Sequence, residues 1–135
     1  MMRTRHALLV ASAAASLLAF PPAALAVTRI VNQVGTTFSP SSLSVHPGDV
    51  VEWHWSSLSH TVTSGTGPTD PIVGTLFDQA LTASNPIVSH TFTTDGDFPY
   101  FCRIHFDFGM TGVIHVVSTV PLDQTTWGLV KSLYE

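Results

Sequence analysis

Charge is scarce in this 135-residue chain: charged residues make up 10% of it, against about 25% in an ordinary soluble domain. Basic residues are the scarcest. Lys and Arg number 5 against 9 acids, for a net charge of −4. So few cannot build a basic surface, which argues against nucleic acid as a partner. Hydrophobic residues at 44% exclude a chain kept disordered by charge. A single cysteine excludes an intramolecular disulfide. There is no membrane-spanning stretch either: the apolar run from Ala7 to Phe20 has 14 residues, where about 20 are needed. No internal repeat stands out. The length admits one domain with a short tail and excludes a multidomain enzyme.

What the N-terminus does hold is an export signal. Arg3 and Arg5 precede the run from Ala7 to Phe20. Pro21 and Pro22 break it, and Ala24-Leu25-Ala26 forms an A-x-A cleavage site. That order is that of a secretory signal peptide over residues 1–26. There is no twin-arginine pair, so general secretion is expected. The mature chain would begin at Val27, carry Arg29, Arg103 and Lys131 against nine acids, and have no transmembrane segment. A periplasmic or extracellular location follows, with a monomer as the expected state.

The mature chain reads as short strands between turns. Alternating or β-branched stretches cover 28–34, 43–45, 50–55, 60–63, 87–93, 98–102 and 112–117. His46-Pro47-Gly48-Asp49 and Asp95-Gly96-Asp97 are turns. In the stretch 50–55, Val51, Trp53 and Trp55 share one face, while Val50, Glu52 and His54 share the other. This spacing predicts an all-β fold, an antiparallel sandwich or barrel. Ser64 to Asn85 is rich in Gly, Pro, Thr, Ser and Asp, and predicts a long excursion that includes one helical turn. The domain is expected over 27–118, followed by a tail over 119–135. There Thr125 or Thr126 would cap a short helix with Trp127, Val130 and Tyr134 on one face.

In an exported protein, one unpaired cysteine is a buried inert thiol, an intermolecular bridge or a thiolate with a task. Its neighbours favour the last. Cys102, His105 and Met110 follow in a C-x2-H-x4-M spacing on one loop, and His60 opens a strand upstream. Two imidazoles, a thiolate and a distant thioether form a blue-copper ligand set. Sulfur suits monovalent copper and imidazole suits both states, so little needs to move when an electron enters. His46, His54, His90 and His115 lie outside this pattern and are expected to be surface or packed histidines. Trp53 and Trp55 are expected in the core.

From Phe38 to Val117 the sequence resembles the cupredoxins, most closely the plastocyanin and pseudoazurin type. The resemblance rests on Phe38-Ser-Pro, Pro47-Gly48-Asp49-Val50-Val51-Glu52-Trp53, Ser59-His60-Thr61-Val62, Gly96-Asp97-Phe98-Pro99-Tyr100-Phe101-Cys102 and Gly109-Met110-Thr111-Gly112. It implies a Greek-key β-sandwich of about eight strands, and one type 1 copper held by His60, Cys102, His105 and Met110. It further implies a backbone hydrogen bond from Thr61 to the cysteine sulfur. Arg103 and Ile104 depart from the small residues or proline frequent between the family's Cys and His. The 64–85 excursion follows no pattern of the family.

The expected function is one-electron shuttling between redox partners, a cytochrome or a copper enzyme, outside the cytoplasmic membrane. The protein is not expected to be an enzyme: four protein ligands leave no open position, and no His-x-His pair is present. The alternatives are a copper storage or delivery module and an electron-transfer subunit of a copper enzyme. Phe106 and Phe108 lie just past His105. They are either plugs of the barrel end or an apolar rim where a partner docks.

Overall fold

A computed structural model describes residues 25–119. Nearly all of the expected signal peptide, and the tail with its helix cap at Thr125 or Thr126, lie outside the described residues. Among those described, no helix is long and apolar enough to cross a membrane.

The described chain is all-β. Its strands are β1 (Thr28–Val34), β2 (Thr37–Ser39), β3 (Ser42–Val45), β4 (Val50–His54), β5 (His60–Ser64), β6 (Asp78–Leu81), β7 (Ile87–Thr91), β8 (Gly96–Phe101) and β9 (Thr111–Val116). They form a four-stranded sheet in the order β2-β1-β4-β7 and a five-stranded sheet in the order β3-β9-β8-β5-β6. Period-2 alternation shows most clearly in the burial of β4 and of the second half of β1. In β4, Val51 and Trp53 are buried, and the residues between them are half-buried. Glu52 and His54 pair on the outer face at 2.8 Å.

Three expectations need correction. There are nine strands, where the sequence spacing picks out seven stretches. The additions are β2, too short for any periodicity, and β6, which lies inside the presumed excursion. The sheets are mixed: β1 runs parallel to β4, and β3 parallel to β9. Parallel pairing joins segments distant in sequence, which no local pattern records. The excursion holds turns and β6 but no helical turn, and the one helical turn described is a 3-10 turn at Phe106–Phe108.

Both sheets contribute to the core. Val31, Phe38, Val51, Trp53 and Val88 from one face Val45, Val62, Leu81, Tyr100, Ile114 and Val116 from the other. The Tyr100 ring lies 4.9 Å from Phe38 and 5.2 Å from Trp53 between ring centroids. Trp55 is only half-buried, packed at the core's margin, and its indole N–H donates to the Leu58 carbonyl at 2.6 Å.

The five-stranded sheet sets the position of the site. β9, β8 and β5 are neighbours, with Phe101 opposite Thr111 and Thr63 opposite Phe101. The end of β8, the start of β9 and the start of β5 therefore meet at one end of the sheet. Cys102, Met110 and His60 stand at those three strand ends.

Candidate metal centre

The segment between β8 and β9 folds back on itself through its own backbone. Cys102 N–H donates to the Met110 carbonyl at 3.0 Å. The N–H groups of Phe108 and Met110 both donate to the His105 carbonyl, at 3.1 and 3.2 Å. Gly109, at φ +79°, closes the 3-10 turn in the left-handed region, where a side chain would be strained. Cysteine, histidine and methionine from nine residues of chain are thereby gathered at one point.

His60 Nδ1, Cys102 Sγ and His105 Nδ1 face one another. The nitrogens are 3.1 Å apart, and the sulfur is 3.8 Å from His60 and 3.6 Å from His105. A point equidistant from three atoms so spaced lies about 2.0 Å from each, close to the length of a bond from a transition metal to imidazole nitrogen. The triangle fits one metal ion at its centre. His60, Cys102 and Met110 are buried, and His105 is half-buried.

The electrostatics suit metal binding. The pKa of His60 lies below the ordinary 6.5, first because burial disfavours its charged form and then because His105 is close; the Ser57 backbone opposes both. His60 Nε2 is itself buried with no partner in hydrogen-bonding geometry. A neutral imidazole offers its lone pair at pH 7 without first losing a proton. Two imidazoles, a thiolate and a thioether favour copper over the hard cations, which prefer oxygen.

The family profile described as copper binding proteins, plastocyanin/azurin family, matches residues 25–117. The chain belongs to that family. His60, Cys102, His105 and Met110 are positioned to bind one copper ion. Among solved structures, a plastocyanin from Dryopteris crassirhizoma is 21% identical, with 66% of this chain and 100% of that one covered and a TM-score of 0.53. A purple cupredoxin from Nitrosopumilus maritimus is 22% identical, covering 67% of this chain and 99% of that one at a TM-score of 0.55. These two likenesses speak to the fold. A copper-containing nitrite reductase from Thermus scotoductus is 27% identical over 71% of this chain but only 23% of its own, at a TM-score of 0.54. No curated protein sequence matches the chain.

The surroundings of this copper site sort the remaining candidates. Thr61 N–H donates to Cys102 Sγ at 3.4 Å. Phe108 is 76% exposed, with its ring 6.2 Å from that of His105. Phe106 is half-buried, its ring 5.3 Å from that of Phe101. The other described histidines lie apart from the cluster. His46 is exposed beside Asp49, His90 packs on Phe77 and Phe92, and His115 sits between Asp97 and Ser42.

Sequence reasoning missed Asp78. It forms a two-bond ion pair with Arg103, Nη2 to Oδ2 at 2.7 Å and Nε to Oδ1 at 3.1 Å. Arg103 departs from the family's pattern between Cys and His, but nothing local to it in sequence names Asp78 as its partner.

Proposed function

We propose that this chain is a blue-copper electron carrier, which shuttles single electrons between larger redox proteins outside the cytoplasmic membrane. The observation that carries the reading is the half-exposed His105 in an otherwise buried donor set. Copper held there would supply a one-electron couple. The protein's own part is to hold the donors in place, exclude water from Cys102 and Met110, and leave one imidazole edge within reach of a partner.

In this reading His60, Cys102, His105 and Met110 are the ligands, and the Thr61 amide moderates the sulfur's donor strength. Phe108 supplies the apolar rim for a transient contact, and Phe106 holds the loop from beneath. Four protein donors leave no position for a substrate, which favours a carrier over an enzyme. The signal over 1–26 supports export of a domain over 27–118. The excess of acids suits a partner with a basic face, such as a cytochrome.

A second reading is an electron-transfer unit of a copper enzyme, favoured by the likeness to the nitrite reductase. A storage or delivery module would use the same donors but release the metal readily.

The test is the absorption and EPR spectrum of copper-loaded protein 27–135, with its electron self-exchange rate. An intense visible sulfur-to-copper band, a narrow copper hyperfine splitting and fast self-exchange are expected. A divalent copper complex without that band overturns the reading. Rapid loss of copper to a chelator in both oxidation states points to delivery, and nitrite reduction by the isolated protein points to an enzyme.

A further inference from the structure

Beside Cys102, on the outer face of the five-stranded sheet, hydrogen bonds close a ring. Arg103 N–H donates to Thr61 Oγ1 at 2.8 Å. The hydroxyls of Thr61 and Thr63 are 3.0 Å apart. Thr63 donates to Asp78 Oδ1 at 2.8 Å. The Arg103 guanidinium returns to both oxygens of Asp78. Thr61 and Thr63 lie on the face of β5 opposite the core residue Val62, so the ring stands apart from the hydrophobic core.

The direction of each bond follows from counting protons. Arg103 holds the Asp78 carboxyl below the usual carboxylate range, with Thr63 assisting. An ionised carboxylate only accepts. Thr63 therefore commits its one hydroxyl proton to Asp78. The bond between the threonines must then be donated by Thr61, whose oxygen also accepts from Arg103 N–H. Thr61 is thus held through its hydroxyl, while its own N–H reaches Cys102 Sγ.

The neighbouring turn is shaped around the pair. At Gly74, φ is +71°, and a Cβ there would lie 3.1 Å from Asp78 and 3.3 Å from Arg103 Nη2. An ion pair this exposed, with both side chains near 40%, adds little stability. Its effect is geometric.

We propose that Asp78, Thr63 and Arg103 form a positioning device, which fixes the Thr61 N–H on the Cys102 sulfur and so sets the reduction potential of the copper couple. This rests on the blue-copper reading above. A hydrogen bond withdraws electron density from the thiolate, and a thiolate that donates less favours monovalent over divalent copper. A looser Thr61 therefore lowers the potential.

Thr63→Val keeps the shape and the charge and removes one hydroxyl. The potential is expected to fall and the visible sulfur-to-copper band to shift, while Thr63→Ser restores both. In metal-free protein, the Thr61 amide is expected to exchange hydrogen faster in Thr63→Val than in Thr63→Ser. Thr63→Ala repeats the test with a smaller side chain should the valine fail to fold. A hydroxyl-free variant with lowered thermal stability but unchanged potential, band and amide exchange overturns the proposal. A wild type without any sulfur-to-copper band overturns the parent reading and this one with it. A blue wild type with unchanged variants overturns this one alone.

Discussion

Gly67, in the excursion, lies against Phe106, in the ligand loop: a Cβ at residue 67 would sit 2.8 Å from the tip of the Phe106 ring. Only a residue without a side chain lets the ring lie there. Phe106 is thus clasped between Gly67 and Phe101, and the excursion braces the copper loop. Gly67→Val should push the ring aside and lower stability by about 1–3 kcal/mol, the usual cost of overpacking. Denaturant unfolding of the metal-free protein measures this. Stability equal to the wild type would show that the clasp contributes nothing.

The same clasp separates the two phenylalanines. Phe108→Lys places a charge beside His105 on an exposed site. It should slow electron self-exchange at least several-fold at low salt, with the visible spectrum and thermal midpoint nearly unchanged. Phe106→Lys forces a charge into a half-buried position and should lower the midpoint clearly. Stopped-flow or NMR exchange rates and melting curves on both variants check the contrast. The reverse pattern would move the docking surface from Phe108 to Phe106.

Two ligands should respond differently to substitution. Cys102→Ser replaces a charged sulfur by a neutral hydroxyl and should abolish the visible band. Met110→Leu should keep both copper and colour and raise the potential, because a weak donor to divalent copper is lost. Spectroscopy with voltammetry reads both. A blue Cys102→Ser variant, or a Met110→Leu variant that loses its copper, would contradict the assignment.

Asp49 offers a prediction about pH. Its carboxylate is nearly inaccessible and accepts from the N–H groups of His46 at 2.9 Å and Val27 at 3.0 Å. The His46 backbone bond is the main reason that its pKa lies below the model-peptide value of 3.8. A carboxyl depressed on folding stabilises fully above its unfolded pKa. That contribution fades as pH falls through the lower folded value. Asp49→Ala should cost about 2 kcal/mol near neutral pH and should lose less stability than wild type on acidification below pH 3.8. Parallel urea titrations across that range decide it, and identical pH slopes would remove Asp49 from the account. Asp70 and Asp78 are depressed in the same sense and remain in the variant.

The amino-acid sequence by itself determined the parts that depend on neighbours in the chain. Seven of the strands were legible, because alternation is a local property with a period of two. So was the gathering of Cys102, His105 and Met110, because one short loop carries all three. His60 was legible as the residue that opens a strand upstream, and the family resemblance supported it as the second imidazole. Tertiary structure alone decided what depends on distant pairing. The parallel contacts of β1 with β4 and of β3 with β9 leave no trace in local periodicity. β6 reads as loop by composition and becomes a strand because β5 pairs with it. Phe106 and Phe108 look alike in sequence, and a glycine 39 positions before Phe106 decides that one is braced and the other exposed. The Asp78–Arg103 pair spans 25 residues, and only the packing of β6 against β5 brings its carboxylate beside the copper loop.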